Sequence, residues 1–280
     1  MSTTMHASAE SALGIALNEI VFAYANRQVV KRANLHLPAG QFGAILGRNG
    51  SGKSTLLRIA AGVQAPQSGQ VLVAGHDLRQ MDIRQRAKHV GFLAQFHQPE
   101  FSFLVREVVL TGRASSVFSV PGAADYAAAE QAMHELGINY LADRSYDELS
   151  GGERQMVMVA RLLAQAPSAL LLDEPVSSLD LANQIHLLQM LRRLADKGLI
   201  VLTILHDPNH ALLFADQVFY MEAGQITQPQ AGAPLADAER ISRLYGIEVC
   251  TTQVEGVTVV LPKPPVLRPL APDGSGSCGG

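Results

Sequence analysis

The sequence predicts an α/β fold in which a β-rich segment precedes the main body and a mainly helical segment is inserted into that body. Residues 15–46 alternate between apolar and polar side chains over short runs, which is typical of strands and hairpins. From residue 41 the pattern becomes strand, glycine-rich turn and helix. The apolar runs at 169–172 and 199–205 lack polar alternation, as expected of parallel strands covered on both faces.

Shorter patterns predict the remaining elements. Apolar runs at 71–73 and 90–94 indicate two further strands, and a helix is predicted over 181–195. Between residues 104 and 165 apolar side chains recur at helical spacing, which predicts the helical insertion. The residues that carry this spacing are Val105, Val108, Val109, Tyr126, Met133, Leu136, Met156, Val159, Leu162 and Leu163.

Length and composition exclude several classes of protein. At roughly 150 residues per domain, the 280 residues allow one large domain or one domain with an insertion. Hydrophobic residues make up 48% of the chain, which is enough to bury a full core. A net charge of −3 argues against a protein that binds nucleic acid through phosphate contacts. Apolar runs are far shorter than the ~18 residues of a transmembrane helix, so we expect no membrane span.

The cysteine content and the N-terminus favour the cytosol. The only cysteines are Cys250 and Cys278, so we expect no disulfide framework. The first residues lack a basic region, and Glu10 interrupts them before a short apolar run, so we predict no signal peptide.

The chain divides into four parts on these patterns. Residues 1–14 are small and polar and are expected to be loose. Residues 15–245 form the folded domain, with its helical part at about 96–165, and 246–261 form a short C-terminal extension. The tail 262–280 is rich in proline and glycine and is predicted to be disordered.

Residues 47–54, GRNGSGKS, match the phosphate-binding pattern GxxxxGK[ST] between a predicted strand and a predicted helix. Glycines allow backbone N–H groups to turn toward phosphate oxygens, and the helix adds the partial positive charge of its N-terminus. We expect Lys53 to reach the β- and γ-phosphates and the Ser54 hydroxyl to bind Mg²⁺. The alternative, a glycine-rich turn with an incidental lysine, is disfavoured by the strand and helix on either side.

The apolar run 169–172 ends in two carboxylates, Asp173 and Glu174. Ligands of open parallel sheets lie beyond the carboxyl ends of the strands. Asp173 is therefore expected to hold Mg²⁺, directly or through water, and Glu174 to polarise an attacking water as a general base. A solvated strand end is the alternative, and the nearby phosphate loop makes it the less favoured one.

Residues 149–153, LSGGE, precede a strong helical pattern. Ser150 and Glu153 have the spacing of a capping box, which is the favoured interpretation when the motif is taken alone. The functional alternative is an anion site made from a hydroxyl, two glycine N–H groups and a helix N-terminus.

Together, these motifs resemble the nucleotide-binding subunit of ATP-binding-cassette (ABC) transporters. The motifs are 47–54, Gln95, 149–153, 170–174, 177–180 and His206, and the resemblance covers about residues 15–225. LSGGE lies between the two phosphate-site motifs, in the order of this family. The resemblance implies a P-loop NTPase (RecA-like) core with an antiparallel β subdomain and a helical insertion subdomain. It also implies ATP and Mg²⁺ as ligands.

In this family two copies face each other head to tail, and each ATP lies between the phosphate loop of one copy and the LSGGE signature of the other. The resemblance therefore implies that Ser150, Gly151 and Gly152 contact the γ-phosphate bound by the partner copy, and that Asp180 crosses the dimer interface. The residues implied in binding ATP within one copy are Tyr24, Gly47, Asn49, Gly50, Ser51, Gly52, Lys53, Ser54, Thr55 and Gln95.

Three single residues gain a role only through the resemblance. Gln95 resembles the glutamine that binds Mg²⁺ and senses the membrane subunit, His206 the histidine that contacts the γ-phosphate, and Tyr24 the aromatic residue that stacks on adenine. Taken alone, His206 is a strand-end histidine and Tyr24 an aromatic residue of a half-buried sheet. The implied metal ligands are Ser54, Gln95 and Asp173, and the implied catalytic residues are Glu174 and His206.

The chain departs from the family pattern at Val176, Glu153 and Pro208, where threonine, glutamine and leucine are more usual. None of these changes removes a group that the chemistry needs, although Pro208 affects the loop that follows His206.

Three stretches are similar to the importers of iron–siderophore complexes, haem and cobalamin, namely LVREVVLTGR at 104–113, HDPNHALLFAD at 206–216 and LYGIEV at 244–249. Importers of molybdate or tungstate share the membrane architecture and remain an alternative. The resemblance implies a peripheral subunit on the cytoplasmic face of the inner membrane, with permease subunits and, indirectly, a substrate-binding protein as partners. We expect 104–113 to face the permease, with an ordinary helix as the alternative.

A second class of function is a soluble ABC ATPase that acts on DNA or ribosomes. One cassette, a short insertion without heptads and the lack of a basic excess disfavour it. A P-loop kinase or GTPase is disfavoured by three features, namely LSGGE, the Asp173–Glu174 pair and the SSLD stretch at 177–180.

Overall fold

The computed structural model describes residues 14–94, 103–116, 120–229 and 235–263. The predicted loose N-terminus, Gln95 and most of the predicted disordered tail therefore lie outside the described residues. The strands are β1 (Ile15–Tyr24), β2 (Arg27–Leu37), β3 (Phe42–Leu46), β4 (Ser68–Val73), β5 (His76–Asp77), β6 (Val90–Leu93), β7 (Ala169–Asp173), β8 (Ile200–Ile204), β9 (Gln217–Glu222), β10 (Gln225–Thr227), β11 (Val249–Val254) and β12 (Val257–Pro262).

The α-helices alternate with these strands in the body of the fold. They are α1 (Lys53–Ala60), α2 (Ile83–His89), α3 (Val105–Leu110), α4 (Ala123–Glu135), α5 (Gly151–Leu163), α6 (Leu181–Asp196), α7 (Pro208–Phe214) and α8 (Ala238–Tyr245). Short 3-10 turns cover Leu78–Gln80, Thr111–Ser115, Asn139–Leu141 and Tyr146–Glu148. None of the helices in the described ranges is long and apolar enough to cross a membrane.

A six-stranded sheet in the order β10-β9-β3-β8-β7-β6 forms the centre of the molecule. The pairs β3–β8, β3–β9, β6–β7 and β7–β8 are parallel, and only β10 runs antiparallel to its neighbour β9. All five residues of β3, of β7 and of β8 are buried. This confirms the prediction of parallel strands covered on both faces.

The two faces of this sheet pack against different layers. Ile45 and Leu171 point into a cluster shared with α1 and with the antiparallel sheet β2-β1-β4-β5. Leu46 and Leu172 point into a second cluster shared with α3 to α6. Alternate residues of one strand thus reach opposite layers, as the strand period of two requires. The predicted α/β class, with a β-rich first segment and a helical insertion, is confirmed.

The segment 104–113 contributes mainly to the core of the insertion. Val105, Val108 and Val109 are buried there, whereas Leu104 is exposed. We predict a permease-facing surface from the low charge of this segment. Packing within the chain explains most of that low charge. The residues of this segment that are exposed and can face a partner are Leu104, Arg106, Glu107 and Thr111.

The C-terminal part of the described chain is a small module made of α8 and the hairpin β11–β12. Ile241, Leu244, Val249 and Val260 of this module are buried in the same cluster as the helical insertion. The chain after residue 245 therefore folds back onto the body, close to α7.

Candidate nucleotide-binding site

A cavity of about 500 Å³ opens beside the loop between β3 and α1. Its residues come from three places in the sequence: the adjoining ends of β1 and β2, the phosphate loop with the start of α1, and the residue that follows β7. They are Tyr24, Arg27, Val29, Asn49, Gly50, Gly52, Lys53, Ser54, Thr55 and Glu174. Eight of these ten were predicted site residues, and only Arg27 and Val29 were not.

Close packing explains two of the glycines in the phosphate loop. A Cβ at Gly52 would lie 2.8 Å from the Val29 carbonyl oxygen, and the backbone there has a φ of 109°. A Cβ at Gly47 would collide with the carbonyl oxygen of Met221 on β9. The loop packs so closely against β2 and β9 that any side chain larger than hydrogen at these two positions would clash.

Lys53 is the first residue of α1 and is only 5% exposed. Its Nζ donates hydrogen bonds to the carbonyl oxygens of Gly47 at 2.7 Å and Arg48 at 3.0 Å. Burial lowers the pKa of this ammonium, while the nearby carboxylates of Glu174 and Asp173 raise it. The lysine is therefore held by its own loop, next to the place where anionic oxygens would bind.

Asp173 ends β7 and is 1% exposed. Its Oδ1 accepts a hydrogen bond from the Ser54 hydroxyl at 3.0 Å, whereas its buried Oδ2 has no hydrogen-bond partner among the described residues. Burial raises the pKa of this carboxyl, the Ser54 hydroxyl lowers it, and Glu174 raises it further. A buried carboxylate oxygen without a partner beside a hydroxyl fits a hard cation such as Mg²⁺.

Glu174 and His206 lie next to each other beyond the carboxyl ends of β7 and β8. Nε2 of His206 lies 2.7 Å from Oε1 of Glu174. Glu174 has a φ of 53°, in the region that favours glycine, and its carbonyl oxygen accepts hydrogen bonds from the backbone N–H and hydroxyl of Ser177. The structure brings these two predicted catalytic residues into direct contact.

Tyr24 lies at the end of β1, 47% exposed, and packs edge-on against Phe22 with ring centroids 4.8 Å apart. It lines the cavity together with Arg27 and Val29 of the adjoining strand β2. Sequence reasoning missed Arg27 and Val29, because the only signal for them is their nearness to Tyr24 in a predicted hairpin.

The LSGGE segment begins α5 and forms the predicted capping box. The Ser150 hydroxyl accepts a hydrogen bond from the Glu153 backbone N–H at 3.3 Å, and the Glu153 carboxylate accepts one from the Ser150 N–H at 2.9 Å. Both hydrogen bonds satisfy groups at the helix N-terminus. Ser150 and Gly151 are exposed and, like Gly152, do not line the cavity of their own chain.

Asp180 caps α6 and connects to the signature through Asn183. Its two carboxylate oxygens accept hydrogen bonds from the backbone N–H of Asn183 at 2.9 Å and from its side-chain Nδ2 at 2.8 Å. The first of these hydrogen bonds is the main cause that lowers the pKa of Asp180. A Cβ at Gly152 would lie 2.9 Å from Cγ of the same Asn183. Asn183 therefore links the end of the SSLD stretch to the LSGGE segment within one chain.

The residues after His206 form the N-terminus of α7. The Asp207 side chain accepts a hydrogen bond from the Asn209 backbone N–H at 2.8 Å, and Pro208 occupies the first turn. Proline is well suited to this position, because its missing N–H has no partner in the helix and its φ is already helical. Pro208 therefore starts a helix rather than distorting the loop.

Comparison with known protein families gives a consistent result. The ABC transporter family model matches residues 30–177. The ferric enterobactin transport ATP-binding protein FepC of Escherichia coli is 34% identical over 90% of this chain and 95% of its own length. The hemin import ATP-binding protein HmuV of Myxococcus xanthus is 38% identical over 85% of this chain and 92% of its own length.

Solved structures with a similar fold are also ABC proteins. A metal-chelate type ABC transporter in an inward-facing conformation superposes with a TM-score of 0.78 at 30% identity, covering 89% of this chain and 97% of the other. The ATP-binding cassette MJ0796, in a dimeric post-hydrolysis state with ADP and Pi, superposes with a TM-score of 0.67 at 25% identity. That comparison covers 80% of this chain and 99% of the cassette.

Proposed function

The chain belongs to the ABC transporter family, and we propose that it hydrolyses ATP to energise the import of a metal chelate through permease subunits. The observation that carries the ATPase assignment is the contact between Glu174 and His206 at 2.7 Å, beside a cavity that the phosphate loop lines. A carboxylate at this position can accept a proton from water, and a neighbouring imidazole can hold that carboxylate in place.

The proposed reaction is in-line attack of water on the γ-phosphorus of ATP. Glu174 accepts the proton as the new P–O bond forms, and the bond to the β–γ bridging oxygen breaks, which releases ADP and phosphate. Lys53 and the backbone N–H groups of the loop stabilise the negative charge on the phosphate oxygens. Ser54 and Asp173 would hold Mg²⁺, which when bound withdraws charge from these oxygens.

We further propose that the active form is a head-to-tail dimer of two copies. Ser150, Gly151 and Asp180 are exposed and lie away from the cavity of their own chain, which suits contacts made in the partner copy. The dimeric cassette MJ0796 with ADP and Pi, at 25% identity, supports such an assembly. In this dimer the signature glycines and Ser150 donate hydrogen bonds to the γ-phosphate that the partner's loop holds.

The cargo assignment rests on the relatives. Ferric enterobactin and hemin are the cargoes that the names of FepC and HmuV state, and the superposed transporter is of metal-chelate type. We place the chain as a peripheral subunit at the cytoplasmic face of the inner membrane. Leu104 and Arg106, exposed at the start of α3, are proposed to contact the permease.

Substitution Glu174→Gln tests the ATPase assignment, because it keeps the shape of the side chain and removes the proton acceptor. The variant should bind ATP and dimerise but not turn over, whereas Glu130→Gln, an exposed change on α4, should behave as wild type. Turnover at the wild-type rate in Glu174→Gln would contradict the assignment.

A transport assay tests the cargo. The chain would be reconstituted in liposomes with its permease and its binding protein, and the uptake of a ferric siderophore, haemin, cobalamin and molybdate would be compared. ATP-dependent uptake of one of the chelates supports the proposal. Uptake of molybdate alone would replace the metal-chelate assignment with the oxyanion alternative.

A further inference from the structure

The C-terminal module is attached to the residue that contacts the catalytic glutamate. The hydroxyl of Tyr245, at the end of α8, donates a hydrogen bond to the main-chain carbonyl oxygen of His206 at 3.0 Å. Leu205 is still part of the sheet, because its N–H bonds to the carbonyl oxygen of Ile45. The Tyr245 hydrogen bond therefore acts where the chain has just left the sheet.

A second attachment lies three residues further along. The side-chain amide of Asn209 donates to the carbonyl oxygen of Val260 at 3.2 Å, and its Oδ1 accepts from the Val260 N–H at 2.8 Å. Asn209 thus pairs with β12 through both of its amide groups, as a neighbouring strand residue would. Because Val260 is 4% exposed, loss of this pair would leave buried backbone groups without partners.

The environment of Tyr245 keeps its hydroxyl protonated. Burial, with smaller contributions from Asp207 and Tyr220, raises the pKa of this phenol well above its usual value. Tyr245 therefore remains a hydrogen-bond donor at neutral pH. The buried contacts of Leu244 and Val249 with the main core hold the module against the body of the fold.

We propose that the C-terminal module, residues 238–263, is a clamp that positions His206 for catalysis, with Tyr245 and Asn209 as its positioning residues. Three hydrogen bonds from two elements of the module hold residues 206 and 209, on either side of the turn that begins α7. Holding the backbone there fixes the distance between the His206 imidazole and Glu174. The inference rests on the proposed function, since it gives His206 a part in hydrolysis.

Substitution Tyr245→Phe tests the clamp, because it removes the hydroxyl and keeps the ring. We expect kcat for ATP hydrolysis to fall by about three- to tenfold, the size expected for one hydrogen bond, with the KM for ATP unchanged. Asn209→Ala should lower kcat similarly. Asn209→Asp, which keeps the acceptor for the Val260 N–H, should restore part of the loss. Tyr140→Phe, at a residue that is 70% exposed on the insertion, is the matched control.

A double-mutant cycle separates positioning from general destabilisation. In a His206→Ala background, Tyr245→Phe should have no further effect on kcat, because the side chain that it positions is absent. An equal fold-loss of kcat in both backgrounds would overturn the proposal. So would wild-type kcat in both Tyr245→Phe and Asn209→Ala.

Comparison of the Glu174→Gln and Tyr245→Phe variants distinguishes a failure of the clamp from a failure of the ATPase assignment. If Glu174→Gln abolishes turnover while Tyr245→Phe and Asn209→Ala both leave it intact, the clamp is wrong and the ATPase assignment stands. If Glu174→Gln turns over normally, the ATPase assignment itself fails. Hydrogen exchange of residues 205–209 in the full chain gives a readout besides activity, and exchange there should be faster in Tyr245→Phe than in Tyr140→Phe.

Discussion

Nε2 of His206 lies 2.7 Å from Oε1 of Glu174, although 32 positions separate the two residues in the chain. The register of two parallel strands produces this contact. Asp173 at the end of β7 pairs with Ile204 at the end of β8, so the residues that follow leave the sheet at the same edge. The contact between Glu174 and His206 is thus a consequence of strand pairing in the core.

Because these two side chains form one unit, their substitutions should not act independently. We expect His206→Ala to lower kcat by about 10²-fold or more. The residual single-turnover rate of the double variant with Glu174→Gln should equal that of Glu174→Gln alone. Steady-state and single-turnover ATPase assays measure this, with His186→Ala on the exposed face of α6 as control. Multiplicative losses would mean that the 2.7 Å contact has no role in hydrolysis.

Local patterns were enough to predict the elements that carry the site. The loop before Lys53 and the carboxylates after β7 are each marked by residues adjacent in sequence, and apolar runs without alternation identify β7 and β8 as buried parallel strands. Since the carboxyl ends of parallel strands share one edge, the meeting of Lys53, Asp173 and Glu174 follows from these patterns.

Contacts between distant segments could not be predicted in this way. The Tyr245 hydroxyl meets the His206 carbonyl oxygen across 39 residues, and neither residue type signals the other. Arg27 and Val29 line the cavity because β2 folds beside the phosphate loop, which depends on how two sheets stack. The valines of α3 also show that low charge alone does not distinguish an inward face from an interface.

Asp216 stabilises the fold through contacts with two segments that are distant from it in sequence. Its Oδ2 accepts hydrogen bonds from the Phe42 backbone N–H at 2.8 Å and from Nη1 of Arg192 at 2.5 Å, which joins the start of β3 to α6. Asp216→Ala should lower the free energy of unfolding by about 1–2 kcal/mol, since it leaves a buried N–H unpaired while the half-exposed ion pair adds little.

Urea denaturation measures this change, and Asp196→Ala is the matched control. Asp196 also pairs with Arg192, but its side chain is 62% exposed. We expect it to cost less than about 0.5 kcal/mol. Equal losses for the two variants would show that the contact with the Phe42 N–H adds nothing.

Substitution of Asp173 by asparagine should raise the Tm without nucleotide and lower it when ATP and Mg²⁺ are bound. Burial raises the pKa of this carboxyl in the folded chain. Its contribution to stability is therefore fully present below the unfolded pKa of about 3.9 and is lost as the pH rises through the raised folded pKa. Without nucleotide, Asp173→Asn should match wild type near pH 4, and its Tm should exceed that of wild type increasingly as the pH rises from there.

Addition of ATP with Mg²⁺ should reverse this order, because the wild-type carboxylate gains a cation and the amide does not. Differential scanning fluorimetry across pH, with and without ligand, measures both arms. Ser54→Ala should lower the ligand-free Tm instead, since it removes the hydroxyl that donates to Asp173 at 3.0 Å. A higher Tm for Asp173→Asn in both states would exclude Asp173 as a metal ligand.

The two signature glycines allow a contact within the chain to be separated from a contact between copies. A Cβ at Gly151 meets no atom within 4 Å, whereas a Cβ at Gly152 would lie 2.9 Å from Cγ of Asn183. In the nucleotide-free chain, Gly151→Ala should therefore be neutral or stabilising by up to ~1 kcal/mol. Gly152→Ala should be less stable than Gly151→Ala by about 1 kcal/mol, because the new methyl displaces the exposed Asn183 side chain from its hydrogen bond with Asp180.

Asn183→Ala should cost less in the Gly152→Ala background than in wild type, because the hydrogen bond with Asp180 is already lost there. Turnover is expected to behave differently from stability. Gly151 is exposed in its own chain, so its substitution should reduce ATP-dependent dimerisation and hydrolysis only if the partner's phosphate contacts it. Thermal unfolding, size-exclusion chromatography with ATP and ATPase assays measure the three quantities. A Gly151→Ala protein with wild-type dimerisation and turnover would contradict the head-to-tail dimer.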